Sequence, residues 1–383
     1  MRILYITNGY PSSLDLSYWV FSQRLVNEWI DMGHECVVIC PRKTPGEKRI
    51  PGDFEIQHTA QGKEVKVYFP KYICTWLTAR FKNDLLRDWS FNNFFKAVDK
   101  TIRENNIQFD VVYSQFLGVA SWCSVKIAKK YGKCSFSDAG ESRYRFLEDR
   151  IKERGFTIKY LTELDGIVSV STENKDLLID NGILNDSKIC VFPNGIDSSH
   201  FYPRDKHESR KKFGFSDSDF IVSFVGYFID RKGPLRVEAA TKDLAVKVAY
   251  AGKGPDEPMS PNTVWKAPVK PENIPEFLSA GDIFVLPTLN EGCCNAIIEA
   301  MACGLPVVSS DLKFNFDILD DSCSIRINPG SVDEIKAAVE KLLNDSELRN
   351  KLSMGAALKG KSLSLHNRAQ NILEWISSII EVK

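Results

Sequence analysis

The chain has no long hydrophobic run, no net charge and no low-complexity tract, and each absence narrows what it can be. The opening MRILYITNGYP holds one basic residue and an apolar stretch that stops at Thr7-Asn8-Gly9. That stretch is too short for a membrane span and lacks the layout of a signal peptide, so it predicts a first strand in a protein kept in the cytoplasm. Lys and Arg total 50 and so do Asp and Glu; without a field of one sign, a nucleic-acid partner is not expected. Ten cysteines are present, but none forms a C-x-x-C pair or stands at a metal spacing from a His, which argues against zinc. Several lie in strand-like runs (ECVVIC, KICVF), where a thiol acts as a small hydrophobe in a reducing compartment. The fingerprint G-x-G-x-x-G is missing too. Its nearest approach, Gly252-Lys-Gly254-Pro-Asp-Glu257, puts Pro255 and Glu257 where a helix would receive pyrophosphate, and reads as a tight turn.

What remains is an ordinary folded composition, 43% hydrophobic and 26% charged over 383 residues, long enough for two domains. Short β-branched runs alternate with helical patterns: RILYIT, ECVVIC, FDVVYS, KCSFSD, DGIVSVS and KICVFP in the first half, FIVSFVG, VKVAYAG, DIFVLP and PVVSS in the second. This rhythm predicts two doubly wound α/β domains with parallel sheets. Residues 201–219 are polar, carry Pro203 and read as a linker, placing the boundary near residue 200. Residues 69–96 hold eight aromatics, five basic residues and two acids, a mix that suits either an anionic membrane surface or the lining of a core or acceptor pocket. Asp217-Ser218-Asp219 has the D-x-D form that holds Mg²⁺ in some transferases, yet it lies where turn residues are common, so no metal ligand is assigned.

The informative segment is DIFVLPTLNEGCCNAIIEAMACGLPVVSS. A buried strand ends at Pro287, a loop carries Asn290-Glu291-Gly292, and a helix is expected from about Cys293 to Cys303, closed by Gly304. The N–H groups of Cys293, Cys294 and Asn295 at that helix start would suit a phosphate. Glu291 and Glu299 stand eight residues apart, one in the loop and one about two turns into the helix, so one could meet a sugar and the other a ribose. Glu299 is flanked by Ile297, Ile298, Ala300 and Met301, and a buried carboxylate needs partners such as hydroxyls.

This run resembles the E-x7-E signature of the retaining GT-B glycosyltransferases, specifically glycosyltransferase family 4. Pro193-Asn194-Gly195-Ile196-Asp197 is similar to the family's interdomain segment, Val225-Gly226 with Arg231-Lys232-Gly233 resembles its phosphate-binding strand end, and residues 328–345 resemble its penultimate helix. The resemblance implies two Rossmann-like domains facing across a cleft: residues 1–200 for the acceptor, 201–365 for the donor, and 366–383 crossing back to the first. It implies transfer of a sugar from a nucleotide diphosphate sugar to an acceptor hydroxyl, with Glu299 on the ribose, Glu291 at the sugar and Lys232 on the diphosphate. Gly226, Gly292, Cys293, Cys294 and Asn295 complete the donor set. No cofactor is expected beyond the donor, with a UDP-sugar ranked ahead of a GDP-sugar and the base left open, since its recognition would rely on backbone groups near Trp265 to Val269. The acceptor would be a sugar or a lipid-linked acceptor in cell-surface polysaccharide or glycolipid synthesis; peripheral contact with the inner face of the membrane stays open as one of the two readings of residues 69–96.

The sequence departs from the family in three places. Tyr227 stands where an Arg follows the strand-end glycine, making Arg231 the substitute cation; the loop after the first strand keeps only Gly9; and Ala139-Gly140 replaces a pocket His-Gly, leaving Asp138 and Glu141 beside it. These departures keep two alternatives open, a non-catalytic nucleotide-sugar binder or partner subunit, and a nucleotide-sugar epimerase on the same fold.

Overall fold

The computed structural model describes residues 1–16, 18–44, 52–74, 84–141 and 156–382. Part of the aromatic-rich stretch, residues 75–83, therefore lies outside the described residues. The chain forms two compact units: Met1–Val170, Asn174–Phe192 and Ala369–Lys383 make the first, and Ser171–Glu173 with Pro193–Arg368 the second.

The first unit is built on strands β1 (Arg2–Ile6), β2 (Glu35–Ile39), β3 (Arg42–Thr44), β4 (Phe54–His58), β5 (Glu64–Tyr68), β6 (Lys71–Ile73), β7 (Val111–Gln115), β8 (Cys134–Ala139), β9 (Gly166–Ser169) and β10 (Ile189–Val191). Eight of them form one sheet in the order β10-β9-β8-β7-β1-β2-β5-β4. The central strands β7 and β9 are buried at every residue, as expected of parallel strands covered on both faces. The sequence reading missed the edge, where β4 and β5 pair antiparallel and Val65 and Val67 alternate with exposed neighbours. Helices α1 (Val20–Asp31), α2 (Asp84–Glu104), α3 (Val119–Tyr131), α4 (Phe156–Leu161) and α5 (Thr172–Asp180) intervene. Gly33, at φ 92°, ends α1 in the left-handed region that a glycine enters without penalty. In the described part of the aromatic stretch, Phe69 and Phe94 are buried while Trp89 is 44% exposed, so most of this aromatic surface goes into the core.

The second unit contains β11 (Ile221–Val225), β12 (Lys247–Ala251), β13 (Thr263–Ala267), β14 (Ile283–Leu286), β15 (Val307–Ser310) and β16 (Ser324–Ile327), all parallel, in the order β13-β12-β11-β14-β15-β16. Its helices are α6 (Lys206–Phe213), α7 (Pro234–Thr241), α8 (Ile274–Ser279), α9 (Asn295–Ala302), α10 (Val332–Asn344) and α11 (Ser346–Ser362). The linker expectation for 201–219 is corrected: α6 occupies it, capped by Asp205, whose side chain accepts from Glu208 N–H. Arg210 of α6 is buried and reaches Asp282 at 2.8 Å, while Asp282 also accepts from Ile221 N–H at 2.6 Å. The segment is thus an integral layer of the second unit, whose main stretch is Pro193–Arg368.

The last helix, α12 (Leu365–Glu381), belongs to the first unit from Ala369 onward. Ala369, Ile372, Leu373 and Ile376 enter the cluster formed by Tyr5, Trp29, Val38 and Tyr113, and Trp29 Nε1 donates to Ala369 O at 3.1 Å. A Cβ on Gly166 would lie 2.4 Å from Trp375, so β9 admits this indole only through a residue without a side chain.

Candidate functional site

In the second unit the strand order reverses between β11 and β14, and in an open parallel sheet the crevice at that reversal is where ligands bind. The sequence candidates converge there. The loop after β11 starts at Gly226 and leads through the 3₁₀ turn Asp230–Lys232 to Gly233, at φ 76°, before Pro234 opens α7. The loop after β14 runs from Pro287 to Glu291. Leu289 N–H donates to Arg231 O at 2.8 Å, and Arg236 joins Asp230 Oδ1 at 2.5 Å to Pro287 O at 3.0 Å.

Three donors meet one oxygen of Glu291: Lys232 Nζ at 2.5 Å, Arg231 Nη1 at 2.7 Å and Thr288 Oγ1 at 2.9 Å. Arg231 Nη1 also donates to Asn290 O at 2.6 Å. Thr288 is fully buried and held from below, since Ser310 Oγ donates to its carbonyl at 2.5 Å and Asn315 Nδ2 to Ser310 O at 2.9 Å. Two cations on one carboxylate leave the cluster with an excess positive charge. The Lys232 and Glu291 side chains are 13% and 12% exposed and Arg231 40%, so Lys232 acts in the lower dielectric. Thr288 and Ser310 were not singled out by sequence reasoning: Thr288 has its partner Glu291 three residues on but carries no local mark, and Ser310 reaches Thr288 from the end of β15.

The helix start differs from expectation. Cys294, in an extended conformation (φ −86°, ψ 102°), is the N-cap, and α9 begins at Asn295. Counted from this N-cap, the N–H groups of Cys294, Asn295 and Ala296 are those an α-helix leaves without an intrahelical partner, and Glu299 lies little more than one turn into the helix. Cys293 and Cys294 also build the turn. Asn194 N–H donates to Cys293 Sγ at 3.4 Å, and Asn194 Nδ2 donates to Asn295 Oδ1 at 2.8 Å. Burial pushes the thiols of Cys293 and Cys294 up to about 12 and about 11, so both stay protonated and inert. Gly292 is buried and Glu299 half-buried.

The Gly252–Gly254 segment is a turn, as read, but it has a partner. A Cβ on Gly252 would lie 1.9 Å from Gly226 O, and one on Gly254 would lie 2.2 Å from Phe228 O. Phe228 N–H donates to Lys253 O at 2.8 Å. This turn carries the Gly226 loop on its backbone. Tyr227 is 53% exposed above it. Trp265 packs against Phe213, and its indole N–H donates to Ala267 O at 3.0 Å. Asp217 pairs with His207 at 2.6 Å, and Asp219 N–H closes a turn on Ser216 O at 3.3 Å.

In the first unit the reversal lies between β1 and β7. Gly9, after β1, is covered by Trp19, whose ring would be 2.4 Å from a Cβ there. Asp138 is buried at the end of β8 and accepts from Tyr113 OH at 3.4 Å. Glu141 Oε1 accepts from Leu117 N–H at 2.8 Å, whereas its buried Oε2 has no hydrogen-bond partner among the described residues. Burial, with a smaller contribution from Asp138, pushes the Glu141 carboxyl up to about 7.

Comparison with known proteins bears on the family and the fold. Residues 205–358 match the family described as "Glycosyl transferases group 1", and residues 20–200 match "Glycosyltransferase Family 4". TuaC of Bacillus subtilis, whose name makes it a glycosyltransferase of teichuronic acid biosynthesis, is 24% identical over 359 residues, covering 89% of each chain. The Escherichia coli UDP-Gal:alpha-D-GlcNAc-diphosphoundecaprenol alpha-1,3-galactosyltransferase is 28% identical over 228 residues, 52% of this chain and 58% of that protein. Among solved structures, sucrose-phosphate synthase of Thermosynechococcus elongatus superposes with a TM-score of 0.74 at 14% identity over 100% of both chains. HepE of Anabaena, solved with UDP, gives 0.73 at 14% identity over 99% of this chain and 100% of its own.

Proposed function

From the premise that this chain belongs to the group 1, family 4 glycosyltransferases and has the GT-B fold, we propose that it is a retaining enzyme that moves a sugar from a nucleoside diphosphate sugar to an acceptor hydroxyl. The observation that carries this reading is the cation pair Arg231 and Lys232 gathered on Glu291 at the strand-order reversal, beside the start of α9. Lys232, Arg231 and the N–H groups of Asn295 and Ala296 would receive the diphosphate, concentrating positive charge where negative charge grows as the sugar leaves. Glu299 would accept from the ribose hydroxyls and Glu291 from the sugar. No carboxylate is assigned as a covalent nucleophile. The acceptor would enter on the face the diphosphate leaves, and the leaving phosphate would take its proton, with the protein supplying position and field but no metal ion.

Uridine as the base is supported by the UDP and UDP-glucose complexes of HepE and by the UDP-galactose donor in the name of the Escherichia coli relative. The names of that enzyme and of TuaC likewise support a lipid-linked or polysaccharide acceptor. Work at the cytoplasmic face of a membrane would suit such an acceptor; among the described residues no helix is long and apolar enough to cross one.

A thermal-shift screen with UDP, GDP and their sugars tests the assignment, since a ligand at a hundred times its Kd stabilises by about 2.7 kcal/mol. Donor that is bound but turned over neither with nor without acceptor would favour a non-catalytic binder, and a sugar altered without acceptor an epimerase.

A further inference from the structure

Any diphosphate that uses Lys232 or Arg231 meets cations already turned to an anion and competes with it for their charge. Lys232 Nζ, Arg231 Nη1 and Thr288 Oγ1 all converge on the same oxygen of Glu291, 2.5, 2.7 and 2.9 Å away, and the Glu291 side chain is only 12% exposed. The stem of Lys232 rests beside Gly226, with its Cδ 3.7 Å from the position of a Cβ there, so a move from carboxylate to phosphate falls to the ammonium end. Once the cations turn away, water cannot fully replace them around a carboxylate at this depth, and Glu291 bears the desolvation cost unless other donors arrive.

We infer that Glu291 is a resident competitor for the phosphate cations, and through that competition a specificity-determining residue that separates the sugar-bearing donor from the bare nucleoside diphosphate. The inference rests on the donor site proposed above. A nucleoside diphosphate sugar brings hydroxyls that donate to the released carboxylate, so it recovers the cost of parting Glu291 from its cations. The diphosphate left after transfer brings none and meets the full competition. Binding is weakened in proportion to the fraction of sites whose cations are free, and only the ligand with compensating donors escapes that penalty. The consequence is a site that grips its substrate and lets its product go.

The experiment is calorimetric titration of UDP and GDP into wild-type protein, E291Q and E291A. Glu291→Gln keeps the shape and removes the charge, and Glu291→Ala removes the group altogether; near-UV circular dichroism and Tm verify the fold of each. The expected result is that whichever diphosphate binds wild type binds both variants more tightly, by about fivefold or more. Equal or weaker binding would mean that Glu291 prepares the cations for phosphate, and would overturn the inference while leaving the donor site intact. Failure of all three proteins to bind either diphosphate would sink the donor site, and this inference with it.

Discussion

The carbonyl oxygen of Gly226 lies 1.9 Å from the place a side-chain carbon on Gly252 would occupy. The loop that leads to Lys232 therefore lies directly on the backbone of the turn after β12, with no side chain between. Gly252→Ala should push the loops apart, costing about 1–3 kcal/mol of stability and weakening diphosphate binding. Lys253→Ala, at an exposed neighbour in the same turn, should leave the fold unaffected. Thermal unfolding of the two variants checks this: a Gly252→Ala protein with wild-type Tm would mean that the loops have slack.

In the proposed donor site Arg231 would stand in for the cation that Tyr227 does not provide. Stabilising the departing diphosphate acts on the transition state, so Arg231→Ala should lower kcat by about two to three orders of magnitude with a smaller change in KM. Lys232→Ala, at the more buried cation, should lower it further. Wild-type kcat in Arg231→Ala would assign the phosphate charge to Lys232 and the start of α9.

If Glu299 holds the ribose, Glu299→Gln should weaken nucleoside diphosphate itself by roughly 1–3 kcal/mol through lost charge-assisted bonds. Calorimetry reads this directly, and unchanged affinity refutes the role.

Turnover should survive chelation, because phosphate charge is assigned to side chains and backbone N–H groups. Activity lost in EDTA and restored by Mn²⁺ or Mg²⁺ would reopen the Asp217 and Asp219 question.

Glu141 gives the first unit a pH dependence of definite sign. With its carboxyl raised from 4.5 to about 7, the folded chain holds a proton that the unfolded chain has released between those values. Stability therefore falls as pH rises across that window, by at most about 3 kcal/mol for this group. Denaturation midpoints should favour Glu141→Gln over wild type at pH 8 more than at pH 5; a constant difference at both would contradict the shifted carboxyl.

The ten strands expected from β-branched runs all formed, because buried parallel strands need continuous apolar sequence and leave a local mark. The β4–β5 edge was invisible in the same terms, since half of each strand faces solvent and the apolar signal is diluted. The helix over 206–213 had a readable start, Asp205 with Glu208 three residues later. It was passed over because its remaining residues are mostly charged, and the partner that stabilises Arg210, Asp282, is 72 residues away. At the site, the spacing of Glu291 and Glu299 was legible, whereas the meeting of Glu291 with Lys232 and Arg231 spans about 60 positions and depends on β11 and β14 being neighbours. At the start of α9, Asn194 Nδ2 donates to Cys293 O and to Asn295 Oδ1, another long-range contact.

The place of α12 sets an order of events during synthesis. The first unit's core includes Ile372 and Ile376, and Trp375 meets Phe136 edge-on across the gap left by Gly166. A ribosome that has delivered all of Pro193–Arg368 has released every residue of the second core, yet the first unit still waits for its last helix. Domains usually mature in the order in which they are translated. Here the half that begins first is finished last, and until residue 376 emerges the faces of Trp29 and Phe136 that α12 will cover stay open to water or to a chaperone.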